Sequence, residues 1–269
     1  MAEETSTTTT TQLPLLLQDR VAIVTGGSSG IGRAITLHLA SLGAKLVINY
    51  SSKSSQANLL ASQINDTATS VTHPRAIAVK ADISDPAQVK SLFDSAESAF
   101  GSPVHILVNS AGVIDPKYPT LANTTVDDFD NIFNINTRGA FLCCKESADR
   151  INRGGGGRII CLTTSLVAAS RPGYAAYVGS KAAVEAMVKI LAKELKGTGI
   201  TANCVAPGPI ATEFFFEGKT EEVVKVFVEQ SPLGRLGKTE DVASLVGFLA
   251  SDAGEWVNGQ IIRVNGGFV

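Results

Sequence analysis

The chain is poor in the side chains on which hydrolytic, metal and disulfide chemistry depend: its 269 residues include three histidines and four cysteines. His38, His73 and His105 are scattered among helix, loop and strand contexts, which leaves a Ser-His-Asp hydrolase without its base. Cys143, Cys144, Cys161 and Cys204 form no Cys-x-x-Cys pair and have no histidine at ligand spacing. No metal is therefore expected, and the thiols are expected to be buried and reduced, with the adjacent Cys143 and Cys144 on opposite sides of a helix. Charge of one sign is also lacking. The net charge of −2 gives no pull toward nucleic acid or an anionic membrane, so neither partner is expected. No apolar run reaches the ~18 residues that span a bilayer. The N-terminal MAEETSTTTTTQ lacks the basic residues of a signal or transit peptide. Residues 1–17 are accordingly expected to be a disordered tail on a cytoplasmic protein.

Beyond the tail, the composition is that of a folded domain, 44% hydrophobic and 18% charged. Apolar runs of strand length alternate with amphipathic stretches of helix length, the pattern of a parallel sheet buried on both faces. Strands are expected at Arg20–Thr25, Lys45–Tyr50, Ala76–Lys80, His105–Asn109, Arg158–Thr163, Thr201–Val205 and Gln260–Val264. Helices are expected at Ile31–Leu42, Ser55–Asp66, Pro86–Phe100, Val126–Asn152, Tyr174–Lys196 and Thr239–Ala250, the last entered at Thr239. The glycines 154–157 read as a flexible link. Residues 18–269 thus make one α/β domain with a doubly wound, seven-stranded parallel sheet. Residues 207–235 interrupt the alternation, and an insertion after a strand's C-terminal end lies beside the ligand crevice of such a sheet, so this segment is expected to be a lid.

Two motifs carry chemistry. In TGGSSGIG, Thr25 to Gly32, the glycines Gly26, Gly30 and Gly32 stand between a strand and a helix, where a tight turn lets the backbone approach a pyrophosphate at the helix N-terminus. Tyr177 and Lys181 stand four residues apart on a helix and so share a face. A unit positive charge ~5 Å from the phenol, at an effective dielectric of ~20, favours the phenolate by roughly 3 kcal/mol, about two pKa units. That would bring the phenol toward the range of a general acid or base at neutral pH.

With these motifs the chain resembles the short-chain dehydrogenases/reductases, in their single-domain, carbonyl-reductase-like form with a Rossmann fold. The matching residues run from TGGSSGIG through Asp82, the NSAG of Asn109 to Gly112, Asn136, Ser165, Tyr177-Val-Gly-Ser-Lys181 and Pro207-Gly208. The resemblance implies Tyr177 as the acid, Lys181 as its support and a ribose ligand, and Ser165 as the holder of the carbonyl oxygen. It also implies that Asn136 supports a water chain to Lys181 through a bend in its helix. Ser165 stands twelve residues before the tyrosine; at thirteen, where many relatives have the serine, this chain has Thr164, a second hydroxyl. The implied cofactor contacts are Gly26, Ser28, Ser29, Gly30 and Ile31; Tyr50, Ser51 and Ser52; Asp82 and Ile83; Asn109, Ser110, Ala111 and Gly112; and Pro207, Gly208, Ile210 and Thr212, with Tyr177 and Lys181. Ser110 replaces the usual second Asn of this turn.

The second strand ends in Asn49, Tyr50, Ser51, Ser52 and Lys53, with no acid to repel a 2′-phosphate of about −1.5 to −2 charges. With Arg33 nearby, this favours NADP(H), although Ser29 stands where many NADP enzymes of the family carry Arg. The expected function is NADPH-dependent hydride transfer to the carbonyl of a small, largely apolar aldehyde or ketone, in a homotetramer. Reduction of a 3-oxoacyl carrier protein, oxidation of an alcohol or sterol, and a non-catalytic dinucleotide sensor or scaffold are the alternatives.

Overall fold

Seven parallel strands occur in the order β3-β2-β1-β4-β5-β6-β7 in the computed structural model, which describes residues 15–67 and 74–269. They are β1 (Val21–Thr25), β2 (Lys45–Tyr50), β3 (Ala76–Lys80), β4 (Ile106–Asn109), β5 (Gly157–Leu162), β6 (Ile200–Pro207) and β7 (Ile261–Val264). Each expected strand is present, β2 and β3 with the expected bounds and the others with ends moved by one or two residues. Side chains alternate across the sheet. Ala22 and Val24 face α1 (Gly30–Ser41), α2 (Ser54–Asp66) and α10 (Thr239–Ala250), whereas Val21 and Ile23 face α3 (Pro86–Phe100), α5 (Gly139–Arg150) and α7 (Ala175–Glu194). The strand order reverses between β1 and β4, which pair from Ala22 and Ile106 to Thr25 and Asn109. The C-terminal ends of these two strands part into a crevice, the place where doubly wound sheets bind ligands.

Four sequence expectations are revised. The single helix expected at 126–152 is two, α4 (Val126–Phe133) and α5, joined by a π-helical turn at Asn134–Arg138. Such a turn widens the backbone hydrogen-bond ring by one residue without interrupting the apolar pattern. The folded domain begins earlier than expected, since Leu17 is fully buried and its N–H donates to Leu42 O at 2.8 Å. Residues 1–14 and His73 lie outside the described residues. Lys238 rather than Thr239 caps α10, its N–H donating to Asp241 Oδ2 at 2.7 Å. Cys143 and Cys144 do not take opposite sides: Cys143 is buried, and Cys144 also turns inward, its Sγ 3.6 Å from that of Cys161. All four cysteines are free thiols, and the described residues contain no cluster of metal ligands. No described helix is long and apolar enough to cross a membrane.

The segment after β6 folds into two short helices, α8 (Glu213–Phe216) and α9 (Glu221–Glu229), which begin with the hydroxyls of Thr212 and Thr220 accepting from backbone N–H groups. The remaining short helix, α6 (Leu166–Ala169), follows β5.

Candidate active site

Thr25, the last residue of β1, holds the parting of the strands together. Its hydroxyl donates to Asn109 Oδ1 at 2.9 Å and accepts from the backbone N–H groups of Ser110 and Ala111 at 3.0 and 3.1 Å. The glycine turn is thereby bound to the NSAG turn. Gly26 and Gly30 take left-handed φ of 60° and 53°, and a Cβ on Gly32 would collide with Gly26 O. The turn therefore closes directly onto the N-terminus of α1, where backbone N–H groups remain unpaired.

A cavity of about 880 Å³ runs over both turns. It is lined by every cofactor residue expected above except Asn109, which is buried beneath it as the partner of Thr25. At one end stand Tyr50, Ser51, Ser52, Arg33 and Lys53, with Gln56 and Gln63 of α2, which carry no sequence signal of their own. Lys53 Nζ lies 3.2 Å from Glu213 Oε2 on the opposite wall. Asp82, between β3 and α3, is fixed by Ser84, whose N–H and hydroxyl donate to its Oδ1 at 2.9 and 2.8 Å. These features suit a dinucleotide: glycines where a phosphate backbone must approach, donors at a helix N-terminus, and two cations with no acid at the end of β2.

Tyr177 and Lys181 lie on the inward face of α7 and both line the cavity. Lys181 is 4% exposed, and its Nζ donates to Leu162 O at 3.0 Å. Burial lowers its pKa to about 8, against smaller opposing contributions from Cys161 and Cys204. Gly112 makes room for it, since a Cβ there would stand 3.2 Å from Lys181 Nζ and 3.1 Å from Asn136 Oδ1. The pKa of Tyr177 moves against expectation. Burial pushes the phenol well above its ordinary value, and the Thr164 hydroxyl pulls the other way. The phenol is thus held as a proton donor at neutral pH.

Ser165 lines the cavity, and its hydroxyl is engaged by two neighbours. Ser165 Oγ donates to Ala206 O at 2.8 Å and accepts from Asn265 Nδ2 at 3.1 Å, so it braces β6 against the C-terminal turn. Thr164, whose hydroxyl accepts from Leu166 N–H at 3.2 Å, also lines the cavity, and that hydroxyl acts to lower the pKa of Tyr177. Asn136 is in the π turn, as the expected bend requires, but its amide is consumed locally. Nδ2 donates to Val113 O and Ser180 Oγ, and Oδ1 accepts from Val113 N–H at 2.8 Å, so Asn136 pins the strand-4 loop under α7. At the same end of the cavity, Tyr174, Phe214, Phe215, Phe227 and Phe268 form an aromatic wall, to which Lys219 adds a cation. Of these, Tyr174, Lys219, Phe227 and Phe268 belong to no motif.

A family model described as enoyl-(acyl carrier protein) reductase matches residues 26–269. The chain belongs to the short-chain dehydrogenase/reductase family. Among short-chain dehydrogenase/reductase relatives, it is 66% identical to an Arabidopsis thaliana protein named NADPH-dependent aldehyde reductase-like protein, chloroplastic, over 96% of this chain and 97% of the relative. It is 58% identical to NADPH-dependent aldehyde reductase 2, chloroplastic, of the same plant, over 94% and 95%. A short-chain dehydrogenase from Burkholderia cenocepacia, solved with NADP, superposes with a TM-score of 0.85 at 33% identity, covering 94% of this chain and 99% of that one. A blue fluorescent protein from a metagenomic library, solved with NADPH, gives 0.85 at 37%, covering 94% and 99%. The expectation of a cytoplasmic protein is overturned, since both plant relatives are chloroplastic by name.

Proposed function

We propose that this protein is an NADPH-dependent reductase of aldehydes or ketones, in which Tyr177 protonates the carbonyl oxygen. The observation that carries the reading is that Tyr177, Lys181 and the glycine turn line one cavity. The relatives named NADPH-dependent aldehyde reductases, and the NADP(H) bound in the structural neighbours, support the choice of cofactor and reaction. When bound, NADPH supplies the hydride. The protein's part is to hold the carbonyl and deliver the proton. Thr164, beside the phenol, takes the role first expected of Ser165 and donates to the carbonyl oxygen as negative charge develops on it. Lys181 is charged at neutral pH and returns a proton to the phenolate side of the site. Its anchor on Leu162 O holds the ammonium close to Gly112, where a nicotinamide ribose would lie. Asn136 is a positioning residue that acts through the Val113 backbone.

Ser51, Ser52, Lys53 and Arg33 would bind the 2′-phosphate, with Lys53 exchanging Glu213 for it. The segment 207–235 acts as the lid, covering the aromatic end and excluding water from the reacting carbonyl. The assembly is a homotetramer: α5 and α7 leave Phe141 47% and Ile190 57% exposed, faces that a second copy would cover. The test is to follow NADPH oxidation across a panel of aldehydes and ketones. No oxidation of NADPH above background with any carbonyl would refute the reading.

A further inference from the structure

The aromatic end of the cavity is lined by the cation Lys219, with Glu217 in the same turn but no carboxylate of the described residues within ion-pair distance of it. Lys219 follows a turn pressed against the loop after β4. Gly218 has φ 70° and no space for a Cβ beside Pro116 O, and the Tyr118 hydroxyl donates to Glu217 O at 2.8 Å. The turn aims the lysine inward. Its ammonium stands 4.3 Å from the Tyr118 ring centroid and 4.9 Å from that of Phe215. Two of its three donors are used, one on Phe215 O at 2.7 Å and one on the Tyr118 hydroxyl. No carboxylate of the described residues makes an ion pair with it. The other cations lining the cavity, Arg33 and Lys53 at the far end and Lys181 at the reacting centre, have tasks of their own.

A partly desolvated ammonium with an unused donor is costly unless an acceptor meets it. The walls nearest to it are rings, which satisfy a cation weakly and an anion not at all. We propose that Lys219 is the recognition point for a carboxylate on the substrate, at the end remote from the carbonyl that Tyr177 protonates. The preferred substrates are then aldehydes or ketones that carry an acid group beyond an apolar spacer. The spacer lies against Phe214 and Phe215, and the acid closes the third donor of Lys219. This deepens the reductase reading and rests on it for the reaction, but not for the binding.

Adipic semialdehyde and hexanal have the same chain length and differ in the terminal carboxylate. The ratio of their kcat/KM values is expected to favour the semialdehyde by about tenfold or more, the effect of one charge-assisted hydrogen bond. Lys219→Met should lower that ratio at least tenfold, and Lys219→Arg should largely keep it. A ratio unchanged by Lys219→Met overturns the proposal. In the wild-type enzyme the ratio should also fall as pH rises through about 8, to which burial depresses Lys219. Taking a ratio cancels the titration of Lys181. The groups that face Lys219 from neighbouring elements are the Tyr118 phenol, raised to about 12 by burial, and Arg171 ahead of α7, with Glu217 in its own turn. A ratio flat across pH 7 to 9 counts against Lys219 even if the variant fails to fold. If wild-type enzyme reduces neither compound, the reductase reading fails by itself. Calorimetric binding of hexanoate and hexanol to the NADPH-loaded protein then decides on Lys219, equal affinities being the overturning result.

Discussion

Tyr177→Phe removes the hydroxyl that delivers the proton and keeps the ring, so the loss belongs mainly to the chemical step. Turnover is expected to fall more than about a hundredfold, the range of a positioned general acid, with NADPH affinity nearly unchanged in a fluorescence titration. Thr164 and Ser165 should separate cleanly. Thr164→Val is expected to lower kcat by about ten- to a hundredfold. Ser165→Ala should instead reduce stability by about 1–2 kcal/mol in urea unfolding, because Asn265 and Ala206 O lose a buried partner. The opposite pattern would return the catalytic role to Ser165. Lys181 is a group whose burial works against the fold. Its pKa is about 8 in place of 10.5, so the unfolded chain binds the proton more readily. The cost is fully present below pH 8 and is relieved as pH rises from there toward 10.5. Lys181→Met should therefore be more stable at pH 7, by about 1–3 kcal/mol once the lost bond to Leu162 O is set against the gain, while reduction is abolished. The activity of the wild-type enzyme should decline as pH rises through about 8.

Elements with a strong period were legible before the fold was known, and the irregular ones were not. The strands reveal themselves as short apolar runs between turn residues, and the seven of them join in six parallel pairings. The π turn at Asn134–Arg138 was invisible because Ile132 and Ala140 keep the apolar face continuous across it. The engagement of Ser165 was hidden for a related reason: residue type points to serine, whereas its bonds to Ala206 O and Asn265 depend on the end of β5 meeting β6 and the C-terminal turn. Lys219 and Phe227 reach the cavity only because the segment after β6 folds back beside it, which no local pattern encodes. The end of β2, by contrast, was readable from charge alone, and it gives a test at the scale of the element. Tyr50→Asp adds a carboxylate at the ribose end. The ratio of kcat/KM for NADPH over NADH should fall, and a ratio that stayed constant would remove the end of β2 from cofactor selection.

The molecule as a whole presents several apolar faces for one chain. Phe129, Phe141 and Ile190 are partly exposed on neighbouring helices, and Trp256 is 99% exposed beyond α10. Light scattering at micromolar concentration is expected to give four times the mass of the chain, and Phe141→Glu with Ile190→Glu to give a smaller particle. A wild-type particle of one chain's mass would refute the tetramer.

The pairing held by Thr25 also bears on how the protein folds. Its hydroxyl meets the amides of Ser110 and Ala111, 85 and 86 residues along the chain, and β1 joins β4 only after β2 and β3 have been looped out. Contacts so distant along the chain are slow to form. The cleft between the two turns therefore does not exist in a partly folded chain, and a dinucleotide has nothing to bind until the sheet is complete. Saturating NADPH should then leave the refolding rate unchanged and slow unfolding, with all of the stabilisation, RT ln(1 + [L]/Kd), appearing in the unfolding limb of the chevron.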